Sequence, residues 1–140
     1  MEILLTGANG FIGNSLKEFL SRYNNLKTLG RSNNNDYKYD ITNAIQDFGE
    51  RFDVVIHNAG KAHSIPQNLS EIDSFYKVNY HGTVNLLKAL ENHPPNSFIF
   101  ISTVAVYGLS EGTNITEEST LLAADPYRKS KILAENAVIN

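Results

Sequence analysis

Cysteine is absent from this sequence of 140 residues, and its four histidines are scattered. Without cysteine there is no disulfide framework, no thiolate nucleophile and no cysteine-based metal site, and the histidine spacing does not suggest a metal site either. The basic residues are also scattered and the formal net charge is only -3, which argues against a nucleic-acid or membrane partner. No apolar run approaches the length that spans a bilayer, so we expect a cytoplasmic protein without a metal.

Short apolar runs alternate with longer amphipathic stretches along the chain. The short runs predict strands at residues 2–6, 25–29, 37–39, 54–58 and 97–102. The longer stretches predict helices at residues 11–22 and 72–91, the second ended by Pro94 and Pro95. This alternation predicts one α/β domain over residues 1–140, a doubly wound parallel sheet with strand order 3-2-1-4-5. Its binding crevice would lie at the carboxyl ends of strands 1 and 4.

Each predicted helix carries apolar residues at helical spacing. The first helix has Phe11, Leu16, Phe19 and Leu20, and the second has Phe75, Val78, Leu86, Leu87 and Leu90. Residues at this spacing share one side of a helix. We therefore expect both helices to cover the sheet with an apolar side.

A glycine-rich turn, TGANGFIG at residues 6–13, directly follows the first predicted strand. Gly7 allows a sharp turn, Gly10 lets backbone amides approach a pyrophosphate, and Gly13 lets helix and strand pack closely. A diphosphate would lie at the helix N-terminus, where N–H groups lack partners. The turn indicates a dinucleotide cofactor, although an ordinary strand-to-helix loop is the alternative for this pattern on its own.

A second group of polar residues lies in the last third of the chain. Asp125 suits a helix N-cap and Pro126 the first helical position, so Tyr127 and Lys131 should share one helical face. An ammonium group near a phenol favours the phenolate, and such a tyrosine exchanges a proton with a substrate hydroxyl near neutral pH. Thr103 would supply a hydroxyl beside the same oxygen. A solvated helix face is the alternative for the Tyr-x-x-x-Lys spacing alone.

Together these motifs closely resemble the extended short-chain dehydrogenases/reductases, in particular the nucleotide-sugar epimerase and dehydratase group. The resemblance spans all 140 residues. It is carried by TGANGFIG at 6–13, Asp40-Ile41, IHNAGKAH at 56–63, VNYHGT at 78–83, STVAVYG at 102–108 and YRKSK at 127–131. The resemblance implies a Rossmann-type domain that binds NAD or NADP, and an enzyme that acts on a nucleotide-diphosphate sugar.

The resemblance also implies a role for individual residues. Thr103 matches the catalytic Ser or Thr, Tyr127 the acid/base, and Lys131 the residue that binds the nicotinamide ribose and lowers the tyrosine pKa. Asp40 matches the position that binds the adenine amino group, and Ile41 flanks the adenine ring. The implied cofactor-binding residues are Gly7, Asn9, Gly10, Phe11, Ile12, Gly13, Arg31, Asp40, Ile41, Asn58, Ala59, Gly60, Asn79, Tyr127 and Lys131.

Two of these assignments have an alternative. Asn58, Ala59 and Gly60 resemble the backbone segment that passes under the cofactor, but tight packing between strand and loop would explain them equally well. Asn79 resembles an asparagine whose task near the active site is structural.

The chain departs from the family pattern at the end of the second predicted strand. Many members have an acidic residue there for the ribose hydroxyls, whereas this chain has Arg31 between Gly30 and Ser32. An arginine accommodates a 2'-phosphate, which makes NADP(H) an option. An exposed loop arginine is the alternative.

A second departure is length, because family members continue with further strands and a substrate region. We therefore expect an N-terminal portion of a longer enzyme that is homodimeric at full length. Without the later strands the apolar edge at residues 98–101 is uncovered, so the 140-residue chain should self-associate or be marginally stable.

The expected chemistry is hydride and proton transfer at a sugar hydroxyl. Ala105 stands where some dehydratases have an acidic residue and Val104 replaces its neighbour, which favours an epimerase or a 4-keto reductase. The alternative is a non-catalytic dinucleotide-binding sensor, or an inactive fragment.

Overall fold

A computed structural model describes residues 1–62 and 66–140 of the chain. Five strands, four α-helices and two short irregular helices follow one another within these ranges. In chain order they are β1 (Glu2–Thr6), α1 (Phe11–Leu20), β2 (Asn25–Gly30), β3 (Tyr37–Lys38), β4 (Val54–His57), α2 (Leu69–Phe75), a π-helical turn (Tyr76–His81), α3 (Gly82–Ala89), β5 (Ser97–Phe100), a 3-10 helix (Val104–Tyr107) and α4 (Pro126–Ile139).

The strands form one parallel sheet in the order β3-β2-β1-β4-β5, which confirms the predicted topology. Strand β1 lies at the centre, with Leu4 opposite Lys27 of β2 on one side and Val55 of β4 on the other. Because all neighbouring strands run parallel, their carboxyl ends meet at one edge of the sheet. The loops that leave β1, β2 and β4 therefore converge on the predicted crevice.

The core consists of two apolar clusters, one on each face of the sheet. Alternate residues of a strand point to opposite faces, so Leu4 and Val55 pack with Leu29, Phe52 and Leu86 on one side. Ile3 and Leu5 pack with Ile56 on the other side, where Leu16 and Leu20 of α1 cover them. This double coverage is what a parallel sheet requires.

Helix α1 covers the sheet with a narrower apolar side than predicted. Leu16 and Leu20 pack on the core, but Phe11 is 95% exposed and Phe19 is 63% exposed. The prediction for these two phenylalanines was wrong because helical spacing does not tell which turns of the helix meet the sheet. The helix ends at Leu20, two residues before the predicted boundary.

The second predicted helix is divided into three segments rather than being continuous. It runs from α2 through the π-helical turn into α3 and ends at Ala89. Leu90 already caps it, so Pro94 and Pro95 do not end the helix as predicted. Strand ends also differ by one or two residues, since β2 extends to Gly30 whereas β3, β4 and β5 end at Lys38, His57 and Phe100. No helix within the described ranges is long and apolar enough to cross a membrane.

Candidate functional site

Two glycines are required by the geometry of the turn after β1. Gly7 has φ +69°, and a Cβ there would lie 2.7 Å from the backbone nitrogen of Ala59. A Cβ on Gly13 would lie only 2.0 Å from the carbonyl oxygen of Gly7. Side chains at either position would clash with backbone atoms, which cannot move aside. The turn therefore packs backbone against backbone, between β1, α1 and the loop after β4.

Gly10 differs from these two because its surroundings are open. A Cβ there would come no nearer than 3.4 Å to another described atom, the carbonyl oxygen of Gly7. Gly10 caps α1 in an extended conformation without a side-chain hydrogen bond. The first-turn N–H groups of a helix have no acceptor within the helix, so this N-terminus offers donors and a partial positive charge to an anion.

A cleft of about 860 Å³ opens beside this helix N-terminus. Its volume lies in the range of small-molecule and cofactor sites. The structure brings together here most residues that the sequence predicted for the cofactor: Gly7, Asn9, Gly10, Phe11, Ile12, Arg31, Asp40, Ile41, Asn58, Ala59 and Gly60. Gly13 lies behind the turn, where it permits the close packing described above.

One end of the cleft is built by the loop after β3. The Asp40 carboxylate accepts hydrogen bonds from the backbone nitrogen and the hydroxyl of Thr42, at 3.0 and 2.8 Å. The bond from the Thr42 backbone, with smaller contributions from its hydroxyl and from Arg31, lowers the pKa of Asp40 despite partial burial. Asp40 is thus a fixed carboxylate at neutral pH. Ile41 is buried beside it, and Asn85 donates to the Ile41 carbonyl at 3.0 Å.

The segment after β4 passes directly against the glycine turn. The Nδ2 of Asn58 donates to the Gly7 carbonyl oxygen at 3.2 Å, and the backbone nitrogen of Ala59 donates to Thr6 Oγ1 at 3.0 Å. The segment therefore both packs against the turn and lines the cleft. His63, the last residue of the IHNAGKAH motif, lies outside the described residues.

A buried histidine links this segment to the helices, and the sequence analysis assigned it no role. His57 is fully buried, with Nδ1 at 2.7 Å from Thr6 Oγ1 and Nε2 at 2.9 Å from Thr83 Oγ1. The Thr83 hydroxyl donates to the Asn79 carbonyl at 2.6 Å, so it accepts from Nε2–H and leaves Nδ1 to accept from Thr6. Burial, together with the charge of Lys131, lowers the pKa of His57 to about 3. The imidazole is therefore neutral and bridges β1 and α3.

Asn79 in the π-helical turn is the second connection that the structure reveals. Its Oδ1 accepts from the backbone nitrogen of Lys61 at 2.7 Å, and its Nδ2 donates to the Lys61 carbonyl at 3.0 Å and to Ser130 Oγ at 2.9 Å. The Ser130 hydroxyl in turn donates to the Tyr127 carbonyl at 2.8 Å. Asn79 is buried and is not among the described residues that line the cleft. It ties the loop after β4 to α4.

Helix α4 carries the predicted proton-transfer residues and begins as predicted. The Asp125 side chain accepts from the backbone nitrogen of Arg128 at 2.9 Å, and Pro126 occupies the first turn. Lys131 is 5% exposed, its Nζ donates to the Ile101 carbonyl at 2.7 Å and lies 3.9 Å from the centroid of the Phe100 ring. Burial lowers the pKa of Lys131 to about 8, although the nearby Glu135 acts to raise it.

The three predicted catalytic residues lie on two elements that pack against each other, α4 and the 3-10 helix that Thr103 caps. Tyr127 packs near Phe75, with ring centroids 6.2 Å apart. Thr103 caps the 3-10 helix, where its Oγ1 accepts from the Ala105 backbone nitrogen at 3.3 Å. Lys131 bonds the chain two residues before Thr103. Within residues 1–62 and 66–140, no hydrogen bond joins these three side chains, and none of them lines the cleft.

One feature of the sequence could have pointed to these buried polar residues. Thr6 and His57 directly follow the apolar residues of β1 and β4, and Thr83 and Ser130 are buried on α3 and α4. Buried polar groups must find partners, and no buried side-chain nitrogen or oxygen in the described part of the chain lacks one. Their partners are far away in sequence, so their arrangement was not visible there.

A cleft of about 860 Å³ thus lies at the carboxyl edge of a doubly wound parallel α/β sheet, bordered by the glycine turn after β1 and the Asp40-Ile41 loop. The model of the NAD dependent epimerase/dehydratase family matches residues 3–140, and the chain belongs to that family.

Curated relatives and solved structures agree with this assignment. The chain is 33% identical over 144 aligned positions to an N-acetyl-alpha-D-glucosaminyl-diphospho-ditrans,octacis-undecaprenol 4-epimerase of Escherichia coli O157:H7, covering 97% of this chain and 42% of the relative. The fold of this chain is similar to that of RMD from Pseudomonas aeruginosa complexed with NADPH, with 29% identity and a TM-score of 0.75, covering 97% of this chain and 48% of the other. It is also similar to a Bacillus cereus UDP-glucuronic acid 4-epimerase in complex with NAD, with 27% identity, a TM-score of 0.79 and coverage of 99% and 51%. The chain spans less than half the length of the curated relatives it matches.

Proposed function

We propose that this chain is the cofactor-binding part of an NAD(P)-dependent enzyme that oxidises a hydroxyl group of a nucleotide-diphosphate sugar. The observation that carries the proposal is the position of α4, whose Lys131 bonds the Ile101 carbonyl directly after β5, next to the strand β4 whose loop lines the cleft. Relatives named as epimerases of sugar nucleotides and of a lipid-linked sugar diphosphate support the substrate class.

The residues of the cleft fit a dinucleotide. The bare N-terminus of α1 suits the diphosphate, and the fixed carboxylate of Asp40 suits the adenine amino group, with Ile41 beside the ring. When bound, the nicotinamide supplies the acceptor for a hydride. The N–H donors of α1 thus match the diphosphate, the Asp40 carboxylate matches the adenine amino group, and the apolar side chain of Ile41 matches the adenine ring.

Tyr127 acts in this proposal as the general base. Its phenolate takes the proton from the sugar hydroxyl as the carbon that carries this hydroxyl gives up a hydride, so the alcohol becomes a ketone. Lys131 favours the phenolate by its charge, because with a pKa of about 8 it is still mainly protonated at neutral pH. Thr103 donates a hydrogen bond to the same substrate oxygen.

The possible reactions differ in what happens to the keto sugar. Epimerisation returns the hydride to the other face, and reduction consumes an existing ketone. Val104 and Ala105 offer no acidic group beside Thr103, whereas removal of water from the neighbouring carbons needs an additional acid or base. We therefore propose an epimerase or a 4-keto reductase rather than a dehydratase.

A dinucleotide-binding sensor without turnover is the second candidate. The observation in its favour is that Thr103, Tyr127 and Lys131 are not among the described residues lining the cleft. Such a protein would bind the cofactor but leave these three residues without a chemical task.

The test measures binding and turnover separately. NADH and NADPH binding is followed by cofactor fluorescence, and turnover is assayed in the full-length enzyme, which includes the substrate region, with a panel of UDP- and dTDP-sugars. Tyr127→Phe should leave cofactor affinity unchanged and lower turnover by about a hundredfold to ten-thousandfold. Tyr23→Phe, at a side chain that is 75% exposed, is the matched control. Full turnover in Tyr127→Phe with the cofactor bound would contradict the catalytic assignment, and cofactor binding without any turnover in the full-length enzyme would favour the sensor.

A further inference from the structure

We propose that Lys61 is a phosphate-binding residue of the cleft and contacts an oxygen of a bound diphosphate, on the opposite side of the glycine turn from Arg31. This inference rests on the proposed function, because it assumes that the cleft holds a dinucleotide. It adds a cationic contact that the glycine turn and the helix N-terminus do not provide.

The sheet order fixes the side on which Lys61 lies. Arg31 follows β2 and Lys61 follows β4, and these strands flank β1 from opposite sides. A Cβ on Gly7 would lie 2.7 Å from the Ala59 nitrogen, and Lys61 follows Ala59 by two residues, which span at most about 7 Å. Both cations line the same cleft. The N-terminus of α1 thus lies between two positive side chains.

The backbone of Lys61 is held rigidly. Both amide atoms of the Asn79 side chain bond it, Oδ1 to its nitrogen at 2.7 Å and Nδ2 to its carbonyl oxygen at 3.0 Å. The Nζ of Lys61 lies 5.2 Å from the centroid of the fully buried Phe75 ring. A cation fixed in this way loses less conformational entropy when it binds an anion than a solvated surface lysine does.

The charges of the cleft leave Lys61 available to a ligand. The Arg31 charge acts on the Asp40 carboxylate and helps to lower its pKa, so part of its field is already compensated. No carboxylate in the described ranges forms an ion pair with Lys61. A diphosphate diester carries two negative charges, whereas a helix N-terminus contributes only about half a positive charge. Lys61 supplies the missing positive charge.

The diphosphate could come from either of two ligands. A dinucleotide and a sugar nucleotide both contain it, and Phe75, over which the Lys61 ammonium lies, also packs near Tyr127. The shared chemistry is a phosphate oxygen on the Tyr127 side of the turn. The two sources are distinguished by titrating them in separate experiments.

The experiment compares three variants of the chain with the unaltered protein. Lys61→Met keeps the length of the side chain and its packing on Phe75 but removes the charge, and Lys61→Arg keeps the charge. Lys77→Met removes an exposed lysine that pairs with Asp73 at 2.7 Å on the neighbouring helical turn, and it serves as the matched control. Circular dichroism confirms that each variant is folded.

Dissociation constants are measured for NADH by fluorescence, and for ADP-ribose and AMP by calorimetry. Lys61→Met should weaken NADH and ADP-ribose by about tenfold or more, the usual cost of losing a hydrogen bond to a charged group. AMP lacks the second phosphate and should change by about twofold or less by the same reasoning. Lys61→Arg and Lys77→Met should bind all three ligands as the unaltered chain does.

The outcomes distinguish the cofactor from the sugar nucleotide as the source of the diphosphate. They also distinguish failure of the inference about Lys61 from failure of the proposed function. A loss with NADH and ADP-ribose assigns the contact to the cofactor, whereas a loss only with UDP, titrated into NADH-loaded protein, assigns it to the sugar nucleotide. Unchanged NADH binding with unchanged or undetectable UDP binding would overturn the inference about Lys61 alone, and so would an equal loss with AMP. Failure of the unaltered chain to bind NADH would overturn the proposed function and this inference with it.

Discussion

The two ends of the candidate site are held in place by different kinds of contact. At the glycine turn, backbone packs on backbone, and the critical distances are those from Gly7 and Gly13 to main-chain atoms. At α4, buried side chains make the connections, through Asn79, Ser130 and Lys131. The glycine turn depends on the absence of a side chain at Gly7 and Gly13. The connections at α4 depend on the polar atoms that the side chains there carry. Substitutions should therefore affect the two ends differently.

The largest effect is expected at Gly13. In Gly13→Ala the new methyl would lie 2.0 Å from the Gly7 carbonyl oxygen, and neither helix nor strand can retreat without opening the core. The free energy of unfolding should fall by about 4 kcal/mol or more, or the chain should fail to fold. Urea unfolding followed by circular dichroism measures the loss.

Gly10→Ala is the matched control for this prediction. Its methyl meets nothing closer than 3.4 Å, so the variant should fold with a stability within about 1 kcal/mol of the original. It should nevertheless bind NADH more weakly, because the methyl enters the space before the α1 N-terminus. Equal destabilisation by both substitutions would contradict the distinction between a packing glycine and a ligand-facing glycine.

His57 makes its contacts through buried polar side-chain atoms, and it predicts that the stability of the protein depends on pH. The folded pKa of His57 is about 3, whereas an unfolded histidine titrates near 6.5. Between these values the unfolded chain binds one more proton, so the free energy of unfolding should fall as pH falls, by about 1.4 kcal/mol per pH unit. The stabilisation is complete above pH about 6.5 and is lost toward pH about 3. Denaturant unfolding at a series of pH values tests this.

Two variants identify the group responsible. His57→Gln should remove the slope between pH 6 and 4, whereas His81→Gln, at an exposed residue, should keep it. The lowered pKa values of Asp36, Asp40 and Asp47 add a further loss that begins as pH falls through the ordinary carboxyl range, where the unfolded chain takes up protons first, and continues below it. A flat profile from pH 6.5 to 4 in the unaltered chain would mean that His57 is protonated in the folded state.

The same comparison explains what sequence reasoning could predict. The strand order and the cofactor end were predictable because the glycine spacing and the strand periodicity are local signals, with Gly7, Asp40 and Asn58 all at the ends of strands. The roles of His57, Asn79 and Ser130 were not predictable, since their partners are 18 to 51 residues away. The exposure of Phe11 and Phe19 was missed because periodicity gives a helical face but not the length of its contact with the sheet.

The smallest effect is expected at Arg31, where the question is the choice of cofactor. Arg31 is exposed at the edge of the cleft, beside Ser32 and Asn35, and its charge reaches Asp40. If the arginine meets a 2'-phosphate, NADPH should bind more tightly than NADH, and Arg31→Asp should reverse the order. One charge-assisted contact contributes about 1.5 to 3 kcal/mol, which is roughly tenfold or more in affinity.

Calorimetry with both cofactors measures the ratio of their affinities. Lys38→Asp changes an exposed lysine on β3 that is not among the described residues lining the cleft, and it controls for a general change of charge. An equal affinity for both cofactors before and after Arg31→Asp would mean that Arg31 is a surface residue without a 2'-phosphate contact.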